Sequence, residues 1–380
     1  MKILNICPTS LRDKHGISSW FRYYFQGLIE SDHQHELYFL SLTSIHSVDH
    51  HHGIEKEFND KFFHFSIQWV WEQVEEVLNH QEWDVIHYHS TITTFKKVDF
   101  EIKFFNKILE LKENGTKIIT TNHSLQKQDN VYEYPLIDLP SQGALFYQTF
   151  GGYLESIHHN DMMSKLSDIN VYISENDRNV SKNLGDVYEN TKVIYNSINI
   201  YKEYGSKDDY KRMNLAYCHR WAMRKNWMVL KELVMENQDK SFYLSGDYFN
   251  PLVHAELMNN KNVSFHGILN ESGMKEINEV CDVMLCPALY EPFGLTAIES
   301  VVWGTIPIIY KHTGTYEVLG DSSFYFDENT SIADCVENFY STPNEEIKER
   351  LKEQQNHLSK FSKLSKMVDE YLSLYNEVVQ

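Results

Sequence analysis

Apolar and polar positions fall into two alternating rhythms along the chain. Short β-branched and aromatic runs, "KILNIC" (2–7), "HELYFLSL" (35–42), "DVIHYH" (84–89), "KIITTN" (117–122), "NVYIS" (170–174) and "KVIYN" (192–196), read as strands. Between them, segments such as "SSWFRYYFQGLIES" (18–31) and "WVWEQVEEVLNH" (69–80) carry apolar residues three and four apart, the period of a helix with one buried face. This βαβ alternation implies parallel sheets covered on both faces.

The rhythm stops at the polar stretch "SINIYKEYGSKDDYKRMN" from 197 to 214 and restarts with "LAYCH", "SFYLSG", "NVSFHG", "VMLCP", "IPIIY" and "SFYF". The expectation is an α/β protein of two doubly wound domains, 1–196 and 214–362, joined by a linker at 197–213. The end is strongly helical: "NEEIKERLKEQQNHLSKF" and "SKMVDEYLSLYNEVV" again space apolar residues by three and four. No tandem repeat or low-complexity segment interrupts the pattern.

Length agrees, since 380 residues at roughly 150 per domain favour two cores. A hydrophobic fraction of 42% with 14% aromatics describes a globular chain with little extended disorder. No apolar run approaches the ~18 residues of a membrane span, and the apolar start "KILNIC" is too short for a secretory signal and reads as a first buried strand. Five scattered cysteines (Cys7, Cys218, Cys281, Cys286, Cys335) show no paired metal-knuckle spacing, which fits a reducing, cytoplasmic setting. The formal charge of −19 repels polyanions and disfavours nucleic acid as a partner.

Candidate chemistry begins with "LYEPFGLTAIES" (289–300), which reads as a loop opening a helix near Leu295 or Thr296. In open α/β sheets, ligands bind beyond the carboxyl ends of the strands, where helix N-termini offer unpaired N–H groups. Glu291 lies just before that helix and Glu299 in its first turns, while Gly294 lets the backbone come close to a ligand. Two carboxylates that accept from hydroxyls, beside amides that donate to phosphate, suit a nucleotide sugar. Taken alone, Glu299 would read as an ordinary helix-start acid favoured by the dipole. A second signal follows a strand in "AYCHRWAMRKNWMVLKEL" (216–233): Arg220 and Lys225, two cations able to neutralise a departing diphosphate. In isolation they would read as solvated loop charges.

Together, these signals resemble the retaining nucleotide-sugar glycosyltransferases of the GT-B fold, glycosyl transferases group 1. Arg220 and Lys225 match the family's R-x4-K pair, "FYLSGD" its strand with a terminal glycine, "NVSFHGIL" the strand passing the base, and "YEPFGLTAIES" its E-x7-E signature. "WGTIPII" matches the strand that follows. The resemblance is close from about 214 to 320 and weaker in the first half.

The resemblance implies two Rossmann-like domains facing each other across a donor cleft, with a terminal helix, 363–380, packing back on the first. It implies that Arg220 and Lys225 bind the diphosphate, Glu299 the ribose hydroxyls and Glu291 the transferred sugar. Phe293, Gly294, Leu295 and Thr296 would line the donor, with main-chain or hydroxyl bonds to phosphate and sugar from the last three, and Ile268 would sit beside the base. In the first half, Gly16 falls in the first strand-to-helix loop, and His123 in "TTNHSL" matches the histidine that contacts the donor sugar. His89 in "VIHYHS" is a weaker match, because histidines at strand ends are commonly structural. The chain departs from the family at Ser197, where glycine is usual, and in its glycine-poor first loop.

The implied activity is a retaining transfer of a hexose-type sugar from a nucleotide diphosphate sugar, UDP being the expected carrier, to a hydroxyl acceptor such as a glycan or glycoconjugate. The expected path is front-face, with the leaving diphosphate helping to remove the acceptor proton. No cofactor or metal is expected, because the two cations do that work and no D-x-D occurs between the strands of the donor half. Three other readings are weighed: a catalytically silent partner subunit, a sugar-nucleotide epimerase, and a phage-type enzyme acting on modified DNA bases. The silent partner and the epimerase would be expected to lack the charged donor residues, and the net charge opposes the DNA enzyme. "HSVDHHHG" (His46, His50, His51, His52) reads as a polar loop in preference to a metal site. "TTFKKVDFEIKFFNKILELK" leaves a peripheral membrane contact open, although Phe100, Phe104 and Phe105 facing the core is the favoured reading.

Overall fold

The computed structural model describes residues 1–7, 16–43, 62–66, 71–90, 98–123, 161–185, 188–198, 204–219, 221, 225–246 and 251–380. The described residues up to 198, with 363–380, form one compact unit, and 204–362 form another.

The first unit runs β1 (Lys2–Cys7), α1 (Gly16–Glu30), β2 (Glu36–Thr43), β3 (Phe62–Ser66), α2 (Trp71–Leu78), β4 (Val85–Ser90), α3 (Val98–Glu113), β5 (Lys117–Asn122), β6 (Ile169–Tyr172), α4 (Glu175–Asn183) and β7 (Thr191–Val193). Its strands form one parallel sheet in the order β3-β2-β1-β4-β5-β6-β7. Because side chains alternate across a sheet, odd and even positions build two separate cores. Ile3, Cys7, Val85 and Ile119 face α1, while Leu4, Ile6, Ile86, Tyr88 and Ile118 join Val74, Val77, Phe104 and Ile108 from α2 and α3. Phe104 is thus fully buried, and Phe100 and Phe105 pack against the same core. The aromatic residues of α3 belong to the fold, while Ile102 and Leu109 stay exposed.

The second unit runs β8 (Asn214–Cys218), α5 (Met228–Glu236), β9 (Ser241–Ser245), α6 (Pro251–Met258), β10 (Val263–Phe265), α7 (Glu271–Val280), β11 (Val283–Cys286), α8 (Leu295–Val302), β12 (Ile306–Tyr310), α9 (Gly314–Leu319), β13 (Phe324–Phe326), α10 (Ile332–Ser341) and α11 (Asn344–Leu358). Its sheet is also parallel, ordered β10-β9-β8-β11-β12-β13. β11 is buried along its whole length, as expected of a central strand covered on both faces. The polar stretch read as a linker is built into this unit from residue 204 onward. Lys207 donates to Thr305 Oγ1 at 2.8 Å, the Tyr210 hydroxyl donates to the Gly304 carbonyl at 2.9 Å, and Gln355 Nε2 donates to the Gly205 carbonyl at 2.8 Å. Its polarity is that of side chains tying down strand and helix ends.

The last helix, α12 (Leu364–Val379), belongs to the first unit. Its apolar positions Leu364, Met367, Val368, Tyr371, Leu372 and Tyr375 repeat at helical spacing and bury against Trp20, Phe21, Tyr24 and Leu28 of α1. No helix among the described residues is long and apolar enough to cross a membrane.

Candidate active site

In each sheet the strand order reverses at one point, between β1 and β4 in the first unit and between β8 and β11 in the second. That reversal opens a crevice at the carboxyl ends of the two strands. In the second unit, the residues that leave those ends are the ones the sequence singled out.

The loop from β11 carries Glu291, whose carboxylate is ion-paired with the Lys225 ammonium in the turn before α5. Both side chains are part-buried, at 22% and 13% exposure, so the pair is shielded enough for its charges to be felt. The backbone on either side is held as well. The Glu291 carbonyl accepts from the Gly314 amide at 2.9 Å, which ties the loop to the start of α9, and Asn226 Nδ2 donates to the Pro287 carbonyl at 3.3 Å. His219, just beyond β8, contacts the Leu285 carbonyl through Nε2 at 3.2 Å. Burial, then the nearby Lys225 charge, lowers its pKa to about 3, so His219 is neutral and adds no positive charge.

Gly294 is the N-cap of α8 and has φ +84, a left-handed conformation that side-chain-bearing residues rarely adopt. No side chain caps the helix, so the amides that open it at Leu295 and Thr296 have no intrahelical acceptor. A Cβ at Gly294 would collide with Thr315 Oγ1, which is buried and has no hydrogen-bond partner among the described residues. Gly246, at φ +130 after β9, is constrained in the same way, because a Cβ there would meet the His219 carbonyl. These two glycines let the backbone pass close to the Thr315 side chain and the His219 carbonyl. Phe293 is buried and shapes the loop from beneath, whereas Ile268 is 67% exposed beyond β10.

Glu299 lies one turn into α8. Enclosure by protein, reinforced by the negative charge of Glu271, raises its carboxyl pKa to about 7. The Glu299 charge is also felt at Cys218 on the end of β8, where burial already holds the thiol up at about 12. One carboxylate of the E-x7-E pair therefore sits by β8, and the other, through the loop, by β11. Arg220 lies outside the described residues, as do His46, His50, His51 and His52.

In the first unit, Gly16 begins α1 and His123 directly follows β5. His123 is 5% exposed, and burial lowers its pKa to about 3. It packs against Trp20 with ring centroids 4.4 Å apart, and its Nε2 lies 3.3 Å from His89 Nδ1. The structure also brings in groups the sequence reading passed over: Asn5, His87, Thr121, Tyr371 and Tyr375, all buried and hydrogen-bonded to one another. A signal for them was present. His87 and His89 are two apart on one strand, and Tyr371 and Tyr375 are four apart on one helix, so each pair shares a face.

The chain is similar to known proteins in sequence and in fold. Residues 215–358 match the family model Glycosyl transferases group 1. Glycogen synthase of Lachnospira eligens is 25% identical over 173 residues, 44% of this chain and 36% of its own length. An uncharacterized 41.2 kDa protein in the cps region of Klebsiella pneumoniae is 23% identical over 317 residues, 79% of this chain and 80% of its own. The chain spans between 29% and 39% of the length of three of the curated relatives that it matches, the Lachnospira enzyme among them. Among solved structures, Anabaena HepE in complex with UDP and glucose superposes with a TM-score of 0.68 at 14% identity, covering 99% of this chain and 100% of the other. Sucrose-phosphate synthase from Thermosynechococcus elongatus gives 0.69 at 14% identity, covering 99% and 98%. The architecture is that of the GT-B fold. The matched stretch, 215–358, lies within the second unit.

Proposed function

We propose that the protein is a retaining glycosyltransferase that moves a hexose-type sugar from a UDP-sugar to a hydroxyl of a glycan or glycoconjugate. The observation that carries the reading is the gathering of Lys225, Glu291, Gly294 and Glu299 around the β8 and β11 strand ends. Binding of UDP and glucose by HepE, a protein of the same fold, makes UDP-glucose the first donor to test.

The chemistry follows from what each group can offer. Ionised Glu299 accepts hydrogen bonds from the ribose hydroxyls, and the uncapped α8 amides donate to phosphate. Lys225 now balances Glu291. When donor binds, the diphosphate takes over Lys225, and Glu291 is released to accept from sugar hydroxyls. Lys225, with Arg220, then stabilises charge that grows on the diphosphate as the glycosidic bond breaks, which lowers the barrier. The acceptor attacks from the face the diphosphate leaves, and a phosphate oxygen takes the acceptor proton, so the sugar keeps its configuration. Positioning and charge stabilisation supply the rate. The proposed setting is cytoplasmic, in keeping with five cysteines that are all unpaired thiols.

The test is calorimetry and thermal shift against UDP-, GDP- and ADP-sugars, followed by product analysis of the anomeric centre. A donor-induced rise in melting temperature and an unchanged anomeric configuration in the product are expected. An inverted product would contradict the retaining mechanism.

A further inference from the structure

Beneath α12, the sheet of the first unit replaces apolar side chains with a connected polar chain. Alternation places Asn5 (β1), His87 and His89 (β4) and Thr121 (β5) on the face that also carries Ile3, Val85 and Ile119, against α1 and α12. All four are fully buried, so their polar groups are cut off from water, and each finds a partner within the chain except Asn5 Nδ2, which has none among the described residues.

With Asn5 oriented so that Oδ1 faces Tyr375 and His89, the contacts assign the protons. Asn5 Oδ1 can only accept, and it lies 3.3 Å from the Tyr375 hydroxyl and 3.3 Å from His89 Nε2. Both must donate to it. The Tyr375 oxygen is then an acceptor for the Tyr24 hydroxyl at 2.7 Å and for His87 Nδ1 at 2.6 Å. His87 and His89 are neutral because burial strongly disfavours their charged forms. A neutral His89 with its proton on Nε2 carries a lone pair on Nδ1, so His123 Nε2 must donate across the 3.3 Å between them. The second nitrogen of His123, Nδ1, is left with its lone pair and no hydrogen bond among the described residues.

We propose that Asn5, held by Tyr375 of the C-terminal helix, fixes His123 through His89 in the Nε2-protonated tautomer, presenting Nδ1 as an acceptor for a sugar hydroxyl. Asn5, His89 and Tyr375 are positioning residues. They act as the partners of metal-bound or catalytic histidines do, by settling which ring nitrogen keeps the proton. Trp20, packed against the His123 ring, fixes its plane. The role of His123 as a sugar contact rests on the glycosyltransferase reading, whereas the tautomer does not.

Nitrogen-15 NMR of histidine-labelled full-length protein reads the tautomer directly, with the His123 signals assigned by their loss in His123→Gln. The wild type is expected to show Nε2 protonated and Nδ1 bare. Asn5→Leu, which keeps side-chain bulk without the acceptor, is expected to give a mixture of tautomers and to lower kcat/KM by about tenfold, the worth of one hydrogen bond. UDP affinity is expected to stay unchanged in that variant. Tyr24→Phe, which touches the network off this path, is expected to lower the melting temperature and keep the tautomer. A wild type protonated on Nδ1 overturns the proposal whether or not any variant folds, and so does an Asn5→Leu protein with an unaltered tautomer. If Asn5→Leu fails to fold, Tyr375→Phe takes its place and is read in the same way. The expected tautomers without turnover of any nucleotide sugar would contradict the glycosyltransferase reading and leave the proton assignment standing.

Discussion

Glu299 is a carboxyl whose environment works against its charge. It releases its proton at about 7 in the folded chain, against a usual 4.5. Between those values the folded state holds more protons than the unfolded one, so the group favours folding most below 4.5, and that contribution is lost as pH rises through about 7. Urea unfolding of Glu299→Gln should therefore show a flatter pH profile than wild type across this window. On the proposed role of Glu299 the same ionisation controls binding, because the carboxylate accepts from two ribose hydroxyls more strongly than the protonated acid does. UDP affinity is predicted to rise from about pH 6 to about pH 8 in wild type and to be pH-independent and weaker in Glu299→Gln. Equal pH slopes in the two proteins would remove Glu299 from the site. Gly294 makes a second test at this scale. Gly294→Ala combines a left-handed backbone with a collision at Thr315 and should cost about 2–3 kcal/mol in urea unfolding. Adding Thr315→Gly should relieve the collision and leave the backbone strain of roughly 1 kcal/mol. E-x7-E was legible because its residues are close in sequence. The Lys225–Glu291 ion pair was not, because 66 residues separate its members and only the sheet order makes them neighbours.

Among the elements, α12 shows how the chain divides its labour. Its buried face completes a core built on α1, β1, β4 and β5, and the candidate donor residues lie in the other unit. Val368→Ala, at a fully buried position of that face, should cost about 1–3 kcal/mol of stability. UDP affinity of the folded variant should be unchanged, and a fall in parallel with stability would show that the two units do not bind and fold with this independence. Helix α12 was plain in the sequence from its spacing of apolar residues. Its two tyrosines were not read as hydrogen-bonding groups, since a tyrosine at a core position announces its ring and not the partner of its hydroxyl. β3 escaped for another reason: "FFHFS" is a short aromatic run at the edge of the sheet, set in polar sequence with no alternation to mark it. The stretch 204–213 misled by its polarity, because Lys207 and Tyr210 are buried through hydrogen bonds and not through apolar contact.

At the scale of the whole molecule, two parallel sheets each place a cluster of polar residues at the carboxyl ends beside their reversal point. One cluster carries the Lys225–Glu291 ion pair; the other is neutral, with three histidines kept uncharged by burial. The chain carries a net charge of −19, so the proposed binding of an anionic nucleotide would depend on local cations such as Lys225. The βαβ order was readable from the chain, as was the E-x7-E spacing, while the pairing of each sheet's polar groups emerged only with the strand order. The most direct measurement is isothermal titration of the protein with UDP-glucose and UDP, alongside folded Lys225→Ala and Glu299→Ala. The account predicts saturable binding by the wild type, weakened by about tenfold or more in each variant, since each loses a charge-assisted contact. Wild-type affinity in both variants, or a folded wild type that binds none of the UDP-, GDP- and ADP-sugars, would contradict it.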